Sequence, residues 1–419
     1  MSPSSSSSFG FTSIRSIVLV SIVILAFSLF PTVVPRLRLL ARHFTPQTAT
    51  FSSSTTTNNI MASSSSYAKE LHMAELAVQR ATLLTKTVFH SHAKGTLNKS
   101  DASPVTIGDF GAQALIIAAI AHNFPDDEIV GEEEAKDLRE SASLKATVWD
   151  LVQAAKLDDE ASEKELGGAI KSDGEMLDVL DKGASKGGNT GRIWALDPID
   201  GTKGFLRGGQ YAVCLALMVD GDVKVGVLGC PNLPVDDSVP LTEDLGANAT
   251  DSEGKGVLFS AVQSQGATSR PLGRAALLPS QPIHMSEISS LKDATFCESV
   301  EAGHSSHGDQ ADIAAKLGIT KPSVRMDSQA KYGSIARGAG EVYLRLPVRK
   351  DYQEKIWDHA AGDLIVREAG GEVTDVSGAR LDFGQGRTLA KNKGVVAAPK
   401  GLHGEVLDAV KSVLGAKKE

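Results

Sequence analysis

Residues 194–204 read WALDPIDGTKG, and this stretch decides the fold because two carboxylates and a hydroxyl follow directly after an apolar strand. Its proline fixes one φ angle, and its glycine permits a left-handed turn. We therefore expect Asp197, the backbone carbonyl of Ile199 and Asp200 to converge on hard cations, with Thr202 at the rim. Mg²⁺ prefers such oxygen ligands and retains water that a phosphate can displace. The stretch predicts metal-assisted hydrolysis of a phosphoester.

Three further acidic positions are candidates for the same site. Asp109 follows a glycine where a predicted helix begins, Glu132 ends a short predicted strand, and Asp358 precedes the small residues Ala-Ala-Gly. Each has an ordinary structural interpretation as well, because Asp is a good helix N-cap and a run of glutamates is typical of a solvated surface. Burial of Asp358 beside Trp357 without a cation would be costly. Neighbouring carboxylates also raise one another's pKa, so their clustering indicates bound metal ions.

The composition restricts the class of protein. The chain has 419 residues, of which 42% are hydrophobic, and a formal net charge of −8. This length is enough for a full core and is typical of two domains. The negative charge argues against a surface for nucleic acid polymers, because such a surface needs clustered Lys and Arg. The three cysteines form no CxxC pair and no even set, so we expect small core residues in a reducing compartment.

Residues 1–66 differ in composition from the rest of the chain. They contain no Asp or Glu, Ser and Thr are frequent, and arginines flank an apolar run at 17–30. Three interpretations stay open: a mitochondrial or plastid presequence, a membrane anchor over residues 17–34, or a cytoplasmic product that starts at Met61. The apolar run is short for a hydrocarbon core of about 30 Å. We therefore favour import or a cytoplasmic form, with membrane contact at most through this leader.

The order of the predicted elements indicates two folded domains. Apolar residues at helical spacing predict helices near 67–92 and 109–123. An Asp-Gly dipeptide at 220–221 predicts a tight hairpin between two strands. From residue 294 onward predicted strands alternate with helices, which is typical of an α/β layer. We predict a leader at 1–66, an α+β domain at 67–235 that carries the metal site, and an α/β domain at 236–419 that completes it.

Several positions in the second half are candidates for binding an anion. His304 and His307 share a loop, and such a pair is by itself only a weak indication of zinc. Ser328 and Lys331 stand where a predicted strand gives way to a helix, and helix N-termini favour phosphate. Arg345 ends an apolar strand, where it is either an ordinary surface residue or a ligand-binding one.

These motifs together resemble a known family. Residues 197–202 (DPIDGT) and 357–362 (WDHAAG) are similar to the signatures of the inositol monophosphatase-like, lithium-sensitive phosphatases. Within that superfamily, the chain is similar to the 3′(2′),5′-bisphosphate nucleotidases at residues 103–109, 203–208, 304–307, 327–332 and 343–347. The sequence GEEE at 131–134 departs from the Gly-Glu-Glu-Ser of many superfamily members but keeps the first glutamate.

The resemblance implies a fold, a reaction and a set of residue roles. The implied fold is a layered α-β-α-β-α sandwich of two domains, of combined α/β and α+β class. The implied reaction is hydrolysis of the 3′-phosphate of adenosine 3′,5′-bisphosphate to AMP with two or three Mg²⁺ ions, and 3′-phosphoadenylyl sulfate as a further substrate. The implied roles are water activation by Asp109 and Thr202, metal ligation by Glu132, Asp197, the Ile199 carbonyl, Asp200 and Asp358, and nucleotide contacts by His304, Ser328, Lys331 and Arg345.

Two alternative functions stay open. An inositol phosphate or polyphosphate 1-phosphatase would share the metal ligands but would need a pocket that recognises hydroxyl groups. A non-catalytic sensor would bind metal and nucleotide, although the pair Asp109 and Thr202 speaks against it. We expect a monomer whose partner is a small bisphosphorylated nucleotide.

Overall fold

A seven-stranded sheet contains the acidic stretch, and its strands follow one another in chain order. The first pair of strands is parallel and every later pair is antiparallel. The strands are β1 (Glu128–Gly131), β2 (Arg192–Asp200), β3 (Ala212–Val219), β4 (Asp222–Pro234), β5 (Lys255–Val262), β6 (Ala267–Pro271) and β7 (Gln281–Ile283). Asp220 and Gly221 between β3 and β4 both have positive φ, at 51° and 79°, which confirms the predicted hairpin.

This computed structural model describes residues 66–93, 103–236, 254–301, 303, 305–346, 348–349 and 351–416. These residues lie in one compact unit that spans Ser63–Glu419. The predicted leader lies outside the described residues apart from its last position, and so does His304.

A second, five-stranded sheet follows in the chain, with the strand order β11-β12-β10-β8-β9. Its strands are β8 (Phe296–Glu298), β9 (Val324–Arg325), β10 (Val342–Arg345), β11 (Gly371–Thr374) and β12 (Val395–Pro399). β10 pairs with β8 in parallel and with β12 in antiparallel orientation, so the sheet is mixed.

Helices cover both sheets and separate them. The helices are α1 (Ala68–Ala93), α2 (Pro104–Asn123), α3 (Lys136–Glu140), α4 (Ala142–Ala154), α5 (Glu160–Glu165), α6 (Asp173–Asp181), α7 (Thr202–Arg207), α8 (His307–Leu317), α9 (Ala330–Ala336), α10 (Ala360–Glu368) and α11 (His403–Ala416). α1 and α2 pack on one face of the large sheet, α9 and α10 pack between the sheets, and α8 and α11 cover the small sheet. This order confirms the predicted α-β-α-β-α layers.

Strand β3 shows why the large sheet needs helices on both faces. Val213, Leu215 and Leu217 point into the core beneath α1 and α2. The alternate residues Cys214 and Ala216 point into the core shared with α9 and α10. A strand that is buried on both faces reads as a continuous apolar run rather than an alternating one. The described cysteines Cys214, Cys230 and Cys297 are buried and unbridged, as their pattern predicts.

The structure differs from the sequence-based expectations at two places. The large sheet continues past the expected boundary between residues 235 and 236, because β5, β6 and β7 add to its edge. Helix α2 begins at Pro104 rather than Asp109, since the Ser103 side chain caps it by accepting from the Thr106 N–H at 3.2 Å. The capping interpretation of Asp109 is therefore wrong.

Helix α2 also has the composition of a membrane span. Among the described residues, its stretch Val105–Asn123 is the one helical segment long and apolar enough to cross a bilayer. This helix packs against α1 and the large sheet, so its apolar character matches a position in the protein core.

Candidate functional site

A bulge at the end of β2 brings the two acidic residues of the opening motif together. Asp197 lies opposite Cys214 on β3, whereas Asp200 lies opposite Ala212, so three steps along β2 match two along β3. In a regular strand, residues three apart point to opposite faces of the sheet. The extra residue of the bulge resets this alternation and lets both carboxylates point to the same side. Pro198 is tolerated there because a bulge leaves an N–H without a ladder partner.

The turn after the bulge packs tightly against a neighbouring segment. Gly201 has φ of 91°, and a Cβ built on it would lie 2.8 Å from Cβ of Ser328. A Cβ on Gly204 would lie 2.3 Å from the carbonyl oxygen of Gln210. These glycines let the turn approach the Ser328 segment, and Thr202 begins α7 with an exposed side chain.

Four predicted metal ligands form one cluster. Carboxylate oxygens of Asp197, Asp200 and Asp358 lie within 4.8 Å of one another. Glu132, which follows β1, belongs to the same cluster, because its charge raises the pKa of Asp197. Asp358 ends a 3-10 turn and does not cap the helix that follows, so its capping interpretation is wrong. Residues that are more than 200 positions apart in sequence therefore meet at one point.

The environment of this cluster disfavours negative charge. Burial raises the pKa of Asp197 well above its ordinary value, and repulsion from Glu132 and Asp200 raises it further. Burial and the charge of Asp200 do the same for Asp358. One carboxylate oxygen of Asp197, Oδ1, is buried with no hydrogen-bond partner among the described residues. The cluster can hold a hard cation, because such an ion prefers oxygen ligands and would neutralise the repulsion between the carboxylates. It would also give the buried Oδ1 of Asp197 a partner.

Asp109 lies next to this cluster in the interior. Its side chain is 6% exposed, and Oδ1 has no hydrogen-bond partner among the described residues. Burial raises the pKa of Asp109 well above its ordinary value, and the negative charges of Glu132 and Glu133 raise it further. Asp109 is not one of the described residues that line the cavity beside the cluster, whereas Thr202 is.

A cavity of about 300 Å³ opens beside the acidic cluster. Its lining combines the carboxylates with three cationic side chains, Lys203, Lys331 and Arg345. The residues that line it are Glu132, Asp197, Ile199, Asp200, Gly201, Thr202, Lys203, Asp327, Ser328, Gln329, Lys331, Tyr332, Tyr343, Arg345, Tyr352 and Asp358. All predicted site residues among the described ones, other than Asp109, therefore share this cavity.

Lys331 is a buried cation beside the carboxylates. Its side chain is 3% exposed, and Nζ donates to the carbonyl oxygens of Ser328 at 2.8 Å and Met326 at 3.3 Å. Burial lowers the pKa of Lys331 to about 8, although the charge of Asp200 opposes this shift. Ser328 itself has a left-handed φ of 69°, a conformation that non-glycine residues adopt rarely.

Arg345 is fixed from behind by a buried network. Its Nε lies 2.8 Å from Oε2 of Glu354, and the same oxygen is 3.3 Å from Nε2 of His359. Nδ1 of His359 lies 2.8 Å from the hydroxyl of Tyr332. Burial alone would raise the pKa of Glu354, but His359 and Arg345 lower it to about 2. Glu354 thus stays ionised and holds Arg345 at the cavity wall.

The comparisons with known proteins identify the family. Residues 67–414 match the inositol monophosphatase family. The chain belongs to this family. It is 64% identical over 349 residues to a 3′(2′),5′-bisphosphate nucleotidase of Emericella nidulans, covering 83% of this chain and 99% of the relative. It is 50% identical over 353 residues to a 3′(2′),5′-bisphosphate nucleotidase of Schizosaccharomyces pombe, covering 83% and 96%. The family that the motifs resemble is thereby confirmed.

Solved structures of the family have the same fold. An inositol monophosphatase from Zymomonas mobilis aligns with a TM-score of 0.51 at 17% identity, covering 83% of this chain and 99% of that chain. An IMPase from Thermotoga maritima aligns with a TM-score of 0.50 at 20% identity, covering 83% and 98%. These likenesses confirm the predicted fold.

The sequence did not predict an ion-pair network beside the cavity, which includes the lining residues Lys203 and Asp327. Arg207 of α7 pairs with both Glu301 and Asp327, and Lys203 Nζ donates to Glu301 Oε2 at 3.0 Å. Single charges on a short helix and a loop give no pattern that predicts this pairing. His307, expected in a loop, is instead the first residue of α8, and its Nε2 lies 2.9 Å from the carbonyl oxygen of Ser299.

Proposed function

We propose that this protein hydrolyses the 3′-phosphate of adenosine 3′,5′-bisphosphate to AMP and phosphate, with Mg²⁺ as its metal. The observation that carries the proposal is the cavity that the clustered carboxylates share with Lys331 and Arg345. The nucleotidase relatives at 64% and 50% identity support the same substrate class. Phosphomonoester hydrolysis at an acidic metal site is the reaction that such an arrangement favours.

We propose that the cluster binds two or three Mg²⁺ ions. Glu132, Asp197, Asp200 and Asp358 would hold them together with the backbone carbonyl of Ile199, which lines the same cavity. When bound, such ions neutralise phosphoryl oxygens and acidify water. The carboxylates supply the negative charge that keeps the ions in place against solvent.

The cations Lys331 and Arg345 in the cavity favour a substrate with two phosphates. A nucleotide with two phosphates can place one at the acidic cluster and the other near Lys331 and Arg345. An inositol monophosphate has no second phosphate to place near these two cations. Tyr352, which lines the cavity and is 45% exposed, offers an aromatic face to a nucleobase. These features favour the nucleotide over the inositol phosphates.

The same features are compatible with 3′-phosphoadenylyl sulfate. This molecule keeps the 3′-phosphate, the base and a negative charge at the 5′ side. We therefore propose it as a second substrate of the same site.

Thr202 and Asp109 are the proposed water-activating pair. The hydroxyl of Thr202 stands at the cavity, where it can orient a water molecule towards phosphorus. Asp109, whose pKa burial raises, can accept a proton and share it with the neighbouring carboxylates. A non-catalytic sensor would not require either group.

Phosphate release from three substrates tests this proposal. We expect the full chain with Mg²⁺ to act on adenosine 3′,5′-bisphosphate and to act far less efficiently on inositol 1-phosphate and inositol 1,4-bisphosphate. A preference for either inositol substrate contradicts the nucleotide assignment. Metal-dependent nucleotide binding without phosphate release supports the sensor instead.

We also propose a monomer in the cytoplasm, mitochondrion or plastid, with residues 1–66 as the determinant of location. The acid-free composition of that segment supports import, and a start at Met61 would give the cytoplasmic form. Fluorescent fusions that start at Met1 and at Met61 distinguish these products, and sedimentation of the purified protein tests the monomer.

A further inference from the structure

Two fully buried glutamines each pin a turn that carries a proposed metal ligand. Gln113 on α2 is 0% exposed and Gln329 before α9 is 1% exposed. Burying a side-chain amide is favourable only when its hydrogen-bonding capacity is used. Both side chains hydrogen-bond to backbone groups of a segment 20 or more residues away. Neither glutamine is among the metal ligands or water-activating residues proposed above.

Gln113 holds the turn after β1. Its Nε2 donates to the carbonyl oxygen of Glu133 at 2.7 Å, and its Oε1 accepts from the Glu133 N–H at 3.0 Å. Both bonds lie one residue from Glu132. The end of β1 packs directly on this amide, because a Cβ on Gly131 would lie 2.8 Å from Cδ of Gln113. These contacts fix the turn against α2.

Gln329 holds the turn that carries Asp358. Its Nε2 donates to the carbonyl oxygen of Trp357 at 2.7 Å, and its Oε1 accepts from the Gly362 N–H at 2.9 Å. These bonds fix the chain on both sides of Asp358. The backbone N–H of Gln329 also donates to the carboxylate of Asp200. One residue thus links two proposed ligands, of which Asp200 ends β2 and Asp358 ends the 3-10 turn before α10.

We propose that the side chains of Gln113 and Gln329 are positioning residues that set the affinity of the acidic cluster for Mg²⁺. The proposal rests on the metal site of the proposed function. Carboxylates that repel one another will move apart in the metal-free protein unless their backbone is fixed. The two amides hold Glu132 and Asp358 near their binding positions before the ion arrives, so less free energy is spent on ordering them.

The chain contains a matched control for this idea. Gln79 on α1 is also 0% exposed, and it pins a turn with the same pair of bonds. Its Nε2 donates to the carbonyl oxygen of Ala275 at 2.7 Å, and its Oε1 accepts from the Gly273 N–H at 2.9 Å. Neither Gly273 nor Ala275 lines the described cavity. A general loss of stability should therefore be the same for all three glutamines, whereas a loss of metal affinity should not.

Direct Mg²⁺ binding tests the proposal. Gln113→Met, Gln329→Met and Gln79→Met remove the amide at nearly constant volume from the full chain. After treatment with EDTA, titration calorimetry with Mg²⁺ alone gives the Kd, and thermal unfolding of the metal-free protein reports stability. We expect the Kd to rise about tenfold or more for Gln113→Met and Gln329→Met. For Gln79→Met we expect a change below about twofold with a similar loss of Tm.

The outcomes separate this proposal from the proposed function. Equal Kd values for Gln329→Met, Gln113→Met and Gln79→Met would overturn the positioning role while leaving a hydrolytic wild type intact. A wild type that binds Mg²⁺ but releases no phosphate from the nucleotide would overturn the proposed function and leave the Kd comparison decisive. A wild type that binds no Mg²⁺ overturns both. If a Met variant does not fold, Gln329→Asn and Gln79→Asn keep an amide but shorten it by one methylene, and the same comparison applies.

Discussion

Glu133 offers a test of the electrostatic cost of the acidic cluster. Burial, followed by the charges of Glu132 and Asp137, raises the pKa of Glu133 from 4.5 to about 7. A group whose pKa is raised on folding stabilises the fold below its unfolded pKa, and this contribution is lost as the pH rises through the folded pKa. Glu133→Gln removes the charge that the fold disfavours. The metal-free variant should therefore be more stable than the wild type at alkaline pH.

The size of this gain follows from the two pKa values. The difference between 4.5 and about 7 corresponds to about 3 kcal/mol at pH 8, at about 1.4 kcal/mol for each pKa unit. Because the side chain is half-buried, solvent screening reduces this figure, and we expect a gain of about 1.5 to 3 kcal/mol. At pH 5 Glu133 is largely protonated in the folded protein, so the expected gain in unfolding free energy for Glu133→Gln is less than about 1 kcal/mol.

Urea unfolding in EDTA at pH 5 and pH 8 measures both values. The control is Glu134→Gln, which removes the next glutamate in the run, whose side chain is exposed. We expect this control to change stability by less than about 0.5 kcal/mol at either pH. A gain for Glu133→Gln that is absent, or equal at the two pH values, would refute the reasoning.

The remaining predictions concern the site and its packing. Asp200→Asn should lower kcat about 10³-fold or more with an unchanged fold, because it removes a proposed metal ligand; steady-state kinetics with near-normal rates would contradict this. Since the pKa of Lys331 is about 8, kcat/KM for the nucleotide bisphosphate should fall above that pH as the cation is lost. Lys331→Ala should raise the KM for that substrate and abolish this fall, so a wild-type pH profile in the variant counts against the role. Gly362→Ala should cost about 2 kcal/mol or more in urea unfolding, because the new Cβ would lie 2.3 Å from Cδ2 of the buried Tyr332; wild-type stability would show that the helix can shift.

The layers and most ligands could be predicted because their signals are local. The hairpin at Asp220-Gly221 is determined by a dipeptide, and β3 is determined by its apolar run. The ligands Asp197 and Asp200 lie on one turn, so short-range geometry already brings them together. The sequence predicts Asp358 near these ligands only through the small residues that follow it and through the family resemblance. Close packing against Tyr332 at Gly362 agrees with the argument from small residues.

The missed features depend on contacts between distant segments. Strands β5 to β7 lie in a Gly-, Ser- and Pro-rich region, where the burial of their side chains is decided by the sheet edge they join. Ser103 and Asp109 both suit an N-cap, and in the structure Ser103 caps the helix whereas Asp109 lies within it, buried near Glu132. Gln113 and Gln329 carry no motif of their own, since an amide reveals its partner only in the folded chain.

The measurement that tests the metal site most directly is a crystal structure with Mn²⁺ as an anomalous substitute for Mg²⁺. We predict anomalous peaks between the carboxylates of Asp197, Asp200 and Asp358, with at least one ion also bound by Glu132. Peaks elsewhere, or these four carboxylates separated and facing solvent with no ion between them, would contradict the magnesium-dependent phosphatase proposed for this chain.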